Sequence, residues 1–159
     1  MLATISAGPI FNVYKARARA AATEVGELIS QCKINNLSGM PNELELRYDD
    51  TEEVYRCELY HLDKDGNRES SEPYKSEKIG NSRLEIFIDS DENSIKSHPM
   101  TVRFNTKTGA VKELKYNGLD IKDFSHNIIS FASNNVFIST LYSKTGEQIV
   151  EMSEHSQNT

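Results

Sequence analysis

The sequence predicts an α+β fold in which one long N-terminal α-helix packs on an antiparallel β-sheet meander. From Pro9 to Lys33, apolar residues recur three and four positions apart, which is the period of one helix face. Downstream, short runs of alternating apolar and polar residues are separated by turn-forming residues, as is typical of antiparallel strands. Because the helix comes first and the strands follow, we expect the helix to cover one face of the sheet.

The predicted helix occupies residues 9–34 and is long for a small domain. Its apolar stripe consists of Phe11, Tyr14, Ala18, Ala21, Val25, Leu28 and Cys32. Pro9 suits a first helical turn, where its missing N–H costs nothing, and Gly39 followed by Pro41 favours an end near residues 35–39. We expect residues 25–32 to be buried under the sheet and residues 11–16 to project or pack lightly.

The predicted strands follow the helix at short intervals. They are residues 44–48, 54–62, 84–88, 100–104, 110–116, 128–132, 136–142 and 148–152. The polar segment 63–78 is predicted to be a turn plus a mobile edge or loop, and the acidic segment 89–98 to be turns. Two hairpin turns are predicted to end at Gly109 and Gly146, where glycine supplies the positive φ of a short loop with a bulge.

Composition fits one soluble globular domain. The chain has 159 residues, 37% of them hydrophobic and 26% charged. Its net charge of −6 argues against nucleic acid or an anionic membrane as an electrostatic partner of the whole domain. A basic cluster of Lys15, Arg17 and Arg19 is the local exception. It follows an apolar opening, residues 1–11, that is too short to span a bilayer and that we interpret as the stub of a longer apolar segment.

Two acidic segments have the alternating pattern of calcium loops. They begin at Asp63 and Asp89 and end at Asn67 and Asn93. An EF-hand loop also needs glycine at its sixth position and glutamate at its twelfth, and neither segment has them. Solvated turns are the favoured interpretation, and a weak calcium site at either segment stays open. We predict no metal site and no cofactor.

A catalytic role has little support in the sequence. Ser30 and Lys33 match the S-x-x-K motif, and two K-T-G triplets match another motif of penicillin-recognising serine enzymes. That class places its serine at the start of a helix, whereas Ser30 lies near a predicted helix end, and an S-D-N motif is absent. The histidines are scattered, and no glycine-rich phosphate loop is present. We therefore predict no catalytic residues.

The two cysteines, Cys32 and Cys57, fall on the apolar helix stripe and on the inward side of a predicted strand. They fit two interpretations. Both are typical of small buried hydrophobic residues, which is the favoured reading, and they would also fit a disulfide joining helix to sheet in an oxidising compartment. Such a bridge would close a loop of about 25 residues and stabilise the fold by roughly 3 kcal/mol.

Over most of its length, the sequence resembles the type IV pilins and the type II secretion pseudopilins. The residues that carry the resemblance are ISAGP at 5–9, YKARARA at 14–20 and the stripe continuing through Val25 and Leu28. They are similar to the middle of the family's long first helix. The strands next to the K-T-G turns resemble those of minor pseudopilins. The family's processing glycine, the phenylalanine after it and its glutamate are not in this chain, so the resemblance implies an N-terminally truncated soluble domain.

The resemblance implies a pilin-like fold and a non-catalytic structural subunit of minor pilin type in a cell-surface filament. Residues 1–35 would be the C-terminal part of the family's helix and residues 36–159 the antiparallel head. The implied partners are other pilin or pseudopilin subunits, through the N-terminal helix, and the cytoplasmic membrane before assembly, through the absent apolar segment.

The residues expected for filament packing are Ile10, Phe11, Tyr14 and Ala18, and those for the helix-to-sheet core are Val25, Leu28, Cys32 and Cys57. The alternative function is a free-standing secreted or cell-surface binding module.

Overall fold

The computed structural model describes residues 2–80, 83–124, 128–134, 136–142 and 148–156, with side chains described for 13–80, 83–124, 129–134 and 136–140. Its single helix, α1, runs from Leu2 to Leu37. It begins upstream of Pro9, which the sequence analysis placed in the first turn. Helix-forming residues such as Leu2, Ala3 and Ala7 continue the helix past Pro9 at the cost of one backbone hydrogen bond.

The described residues form ten strands. They are β1 (Asn42–Asp49), β2 (Val54–His61), β3 (Lys75–Ile79), β4 (Leu84–Ile88), β5 (Met100–Phe104), β6 (Val111–Tyr116), β7 (Leu119–Asp120), β8 (Ile128–Ser133), β9 (Val136–Tyr142) and β10 (Gln148–Ser156). A short 3-10 helix, Ile121–Asp123, follows β7. The predicted α+β class, a long helix on antiparallel strands, is confirmed.

The strands form two antiparallel sheets, whereas the sequence predicted one meander. The larger sheet has the order β3-β2-β1-β5-β6-β7 and the smaller has the order β10-β9-β8-β4. β1 pairs with both β2 and β5, so the intervening β4 joins the second sheet by pairing with β8. Alternation within a strand specifies which face is buried but does not specify the partner strand. The sequence pattern therefore could not reveal this division.

β3 lies in the segment predicted to be a turn and a mobile edge. It is the edge strand of the larger sheet, and its side chains from Ser76 to Lys78 are exposed. A polar edge strand of this kind carries little hydrophobic signal and discourages pairing with other chains. The outer edge of β4 is covered differently, because Ile95 N donates to Ile86 O at 2.9 Å and Tyr55 Oη accepts from Ile86 N at 3.2 Å.

The hydrophobic core lies between α1 and the two sheets, and α1 contacts β8 and β9 as well as β1 and β5. The buried hydrophobic residues among the described side chains of the helix are Ala18, Ala21, Ala22, Val25, Leu28, Ile29 and Cys32. From the sheets, Leu44, Leu59, Phe131 and Ile138 are fully buried. Burying a side chain the size of valine or leucine contributes about 1.5–3 kcal/mol, so this shared core joins the three layers.

The C-terminal end of α1 is closed by a Schellman motif. Met40 N donates to Asn35 O at 2.9 Å and Gly39 N donates to Asn36 O at 3.1 Å, with Gly39 at a φ of 87°. The buried Asn36 side chain donates to Cys32 O at 2.7 Å and accepts from Asn42 N at 3.3 Å. This amide therefore fixes the start of β1 against the last turn of the helix.

The predicted hairpin turn before Gly109 joins β5 to β6. Gly109 has a φ of 73° and donates to Asn105 O at 2.9 Å. A Cβ at this position would lie 3.0 Å from Lys33 Cε and 3.2 Å from Leu37 Cδ1. Glycine therefore permits both the turn conformation and its contact with the helix. The second predicted turn, which ends at Gly146, lies outside the described residues.

Ion pairs hold the segment between β2 and β3 against the outer face of the larger sheet. Arg68 Nη2 and Arg103 Nε contact the buried Glu43 carboxylate at 2.6 and 2.7 Å. The Arg68 guanidinium also lies 3.7 Å from the centroid of the Tyr60 ring, and Arg103 Nη1 donates to Gly66 O at 2.9 Å. These contacts hold the segment, which the sequence predicted to be a turn plus a mobile edge or loop, against charged side chains of the larger sheet.

Candidate assembly interface

The candidate functional surface is the first half of α1. Val13 is 52% exposed, and Ala18 is the first fully buried residue among the described side chains of the helix. From Ala18 onward, every helical turn contributes buried residues to the core. Among the described side chains, the helix therefore enters the core at Ala18, and Val13 and Ala16 just before it are exposed.

The predicted filament-packing residues lie in different environments. Tyr14 is half-buried, whereas Ala18 is fully buried and packs in the core of its own domain. The side chains of Ile10 and Phe11 lie outside the described ones, although the backbone of both is helical. Their role in filament packing stays a prediction.

The predicted helix-to-sheet residues Val25, Leu28, Cys32 and Cys57 all belong to one buried cluster. Both cysteines are free thiols. Burial raises the pKa of the Cys32 thiol to about 12 and raises that of Cys57 as well. Because the thiolate is the reactive form, neither cysteine is suited to act as a nucleophile.

A basic pocket lies where the helix enters the domain. It has a volume of about 290 Å³ and is lined by Tyr14, Arg17, Arg83 and Asn134. The Arg17 guanidinium lies 5.9 Å from the centroid of the Tyr14 ring, and its Nη1 lies 3.4 Å from Ser133 Oγ. The basic cluster in the sequence pointed to Arg17. Arg83 and Asn134 are distant in the chain, and only the pairing of β4 with β8 brings them near the helix.

The acidic segments do not assemble a calcium loop in the described residues. Asp63 Oδ1 accepts from the backbone N atoms of Asp65 and Asn67, both at 2.9 Å, so this carboxylate closes its own turn. Among the described side chains, no group of three or more His, Cys, Asp or Glu could hold a metal ion.

The serine and the two histidines that could support catalysis are exposed or contact aromatic rings. Ser30 is exposed on the helix. The His61 ring stacks on Tyr74 with centroids 3.9 Å apart. His98 lies edge-on to Tyr116 at 5.7 Å.

Within the described part of the chain, no helix is both long and apolar enough to cross a membrane.

Among solved structures, this chain is similar to the type IV minor pilin FimU of Pseudomonas aeruginosa (strain PAO1). The TM-score is 0.54 at 10% sequence identity, and the match covers 86% of this chain and 89% of the FimU chain. No protein-family model matches the sequence, and no curated protein matches it. At this identity the likeness concerns the fold. A long N-terminal helix on antiparallel strands, aligned over most of both chains, shows that this chain has the pilin fold.

Proposed function

We propose that this chain is a non-catalytic structural subunit, of minor pilin or pseudopilin type, in a type IV pilus or a type II secretion or competence filament. The observation that carries the proposal is the placement of α1. Its backbone is helical from Leu2, whereas its first fully buried described side chain is Ala18. The helix from Leu2 to Arg17 is roughly 24 Å long, at 1.5 Å per residue, and none of its described side chains, those of residues 13–17, is fully buried. The similarity in fold to a type IV minor pilin supports the same function.

In the proposed filament, the helical residues 1–35 join the subunit to its neighbours and also supply part of the core, and residues 36–159 form the antiparallel head. The first half of the helix, including Ile10, Phe11 and Tyr14, packs against the helices of other pilin or pseudopilin subunits. The second half, with Val25 and Leu28, is committed to the core of the head. The head faces solvent at the cell surface, where its loops contact neighbours.

The proposed route to the filament passes through the cytoplasmic membrane. An apolar segment of about 20 residues preceding Leu2 would cross a hydrocarbon layer of about 30 Å as a continuation of α1. If the apolar residues as far as Phe11 belong to the same span, Lys15, Arg17 and Arg19 would lie just outside the hydrocarbon. A chain extended in this way should partition into membranes, whereas residues 1–159 alone should not be integral to them.

Two pairs of substitutions test the proposal. Phe11→Asp or Ile10→Asp should leave the isolated domain folded but block its incorporation into filaments. Val25→Asp or Leu28→Asp should unfold it, because each places an unpaired charge in the core. Thermal unfolding followed by circular dichroism reports on folding. Cross-linking to other pilins, with the extended chain expressed together with the assembly machinery, reports on incorporation.

The results separate the two functional interpretations. If Phe11→Asp unfolds the isolated domain, the N-terminal turns belong to a private core, and a free-standing binding module becomes the better interpretation. If Phe11→Asp folds and is incorporated as efficiently as the unchanged chain, the first half of the helix does not pack in a filament, and the proposal fails.

A further inference from the structure

The basic pocket between α1 and the smaller sheet has the features of a small anion site. Three parts of the chain converge on it: the helix contributes Tyr14 and Arg17, the start of β4 contributes Arg83, and the β8–β9 turn contributes Asn134. The pairing of Leu84 with Ser133 holds the last two parts together. The pocket is therefore built by the tertiary fold and is not a run of basic residues on one exposed helix.

The chemistry of the lining selects an oxyanion. Two guanidinium groups, a phenol and a carboxamide all supply hydrogen-bond donors, and none of the four residues carries a negative charge. Arginine presents a planar fork of donors that matches the oxygens of a phosphate group. Contacts of Arg17 with Ser133 and the Tyr14 ring orient one of these forks. A volume of about 290 Å³ fits a small group better than an extended ligand.

We propose that this pocket binds the phosphate group of an anionic phospholipid while the subunit waits at the membrane surface. The inference rests on the proposed function, in which α1 continues into the bilayer. Arg17 lies six positions after Phe11, or about 9 Å along the helix. With Phe11 at the edge of the hydrocarbon, Tyr14 is about 4.5 Å further along and lies inside the headgroup layer, which is roughly 5–7 Å thick on each side. Arg17 itself is at the outer boundary of this layer, but its guanidinium lies back over the Tyr14 ring, so the pocket can reach the headgroup phosphates. Tyrosine and arginine are both suited to this layer.

The pocket is basic although the chain as a whole is acidic. The net charge is −6, so the domain as a whole should be repelled by an anionic surface. Binding to anionic vesicles would therefore need a local basic site. Lys64 and Lys107, which are exposed in turns outside the pocket, provide a control with the same change of charge.

The test compares the double variants Arg17→Gln/Arg83→Gln and Lys64→Gln/Lys107→Gln in the full chain. The soluble short-chain lipid dihexanoyl phosphatidylglycerol is titrated below its micelle concentration, and the Arg17 and Arg83 Nε–H resonances are followed by NMR. Cosedimentation with vesicles of equal parts phosphatidylglycerol and phosphatidylcholine then measures binding at a surface. We expect the arginine variant to lose affinity about tenfold or more and the lysine variant to change less than twofold, since each basic group near an anionic surface contributes about 1 kcal/mol.

Several results would overturn the proposal. They are the absence of resonance shifts with the short-chain lipid, equal losses in the two variants, and equal binding to pure phosphatidylcholine vesicles. If inorganic phosphate shifts the same resonances but the vesicles do not bind, the site takes a free anion and the lipid assignment is wrong. A cross-link from position 17 to a neighbouring pilin, without lipid binding, would assign the pocket to subunit contact instead.

The lipid test and the filament test fail independently. If the lipid does not bind but Phe11→Asp still blocks incorporation, only the pocket assignment falls. If the lipid binds at Arg17 and Arg83 but Phe11→Asp is incorporated normally, the filament proposal falls and the pocket remains an anion site.

Discussion

At the scale of single residues, Glu58 shows how charge is accommodated in the larger sheet. Its side chain is only 5% exposed, yet its carboxylate accepts from Arg47 Nε at 2.6 Å and from Ser76 Oγ at 2.9 Å. Burial by itself raises the pKa of Glu58, and these hydrogen bonds outweigh it, so the pKa falls below its usual 4.5. The ionised form is therefore stabilised by folding.

This lowered pKa predicts acid sensitivity with a defined sign. Because the pKa of Glu58 is lower in the folded than in the unfolded state, its contribution is fully present above the unfolded value of about 4.5 and is lost as pH falls through the folded value. Glu58→Gln should lower the free energy of unfolding by about 1–3 kcal/mol at pH 7. Urea unfolding at pH 7, 4.3 and 3 should show this difference shrinking toward the lowest pH.

The matched control for Glu58 is Glu113, which pairs with Lys115 at 2.9 Å. Lys115 is exposed and Glu113 is only partly buried, so Glu113→Gln should change the free energy of unfolding by less than about 1 kcal/mol. If Glu58→Gln kept the same difference from the unchanged chain at every pH, the Arg47 and Ser76 contacts would not be the source of its stabilisation.

At the scale of elements, α1 is one continuous helix with two different environments. Amide hydrogen exchange should therefore be fast before Ala18 and slow after Ala22, because protection follows burial and packing against the sheets. Exchange measured residue by residue by NMR at neutral pH gives the profile directly, and the buried turns around Val25 serve as the internal reference. Uniform protection along α1 would mean that its first turns are stabilised within the domain, which would contradict a segment awaiting filament partners.

The elements predicted best are those whose pattern is local. The stripe ending at Cys32, the β4 and β5 strands and the turn at Gly109 each depend on near neighbours in sequence, and the structure has them. β3 was predicted only as part of a turn plus a mobile edge or loop, because an edge strand needs no apolar alternation. The predicted start of the helix at Pro9 is too late. The preference of proline for the first helical turn is outweighed by the helical propensity of the residues that precede it.

At the scale of the whole molecule, strand pairing brings together residues whose proximity the sequence does not indicate. The division into two sheets places Arg83 and Asn134 beside Arg17, although nothing in the spacing of these residues indicates proximity. The basic cluster was visible in the sequence, but its pocket required the β4–β8 pairing. Likewise, the burial of α1 from Ala18 onward is a property of how both sheets pack on the helix.

The two sheets are also joined directly, through Tyr55. This fully buried residue of β2 accepts a hydrogen bond from Ile86 N of β4, in the other sheet, at 3.2 Å. α1 contacts both sheets as well, so we expect the domain to unfold in one cooperative transition. Tyr55→Phe should lower the free energy of unfolding by about 1–3 kcal/mol, because it leaves the Ile86 N–H buried without its acceptor.

Denaturant unfolding followed in parallel by far-ultraviolet circular dichroism and tyrosine fluorescence tests this coupling. The two probes should coincide in the unchanged chain and in Tyr55→Phe, with only the midpoint shifted. Tyr48→Phe is the control, since Tyr48 is half-buried and meets the Tyr55 ring edge-on at 5.0 Å. It should shift the midpoint much less. Two separate transitions would show that each sheet is stable without the other, and that α1 and Tyr55 do not couple them into one folding unit.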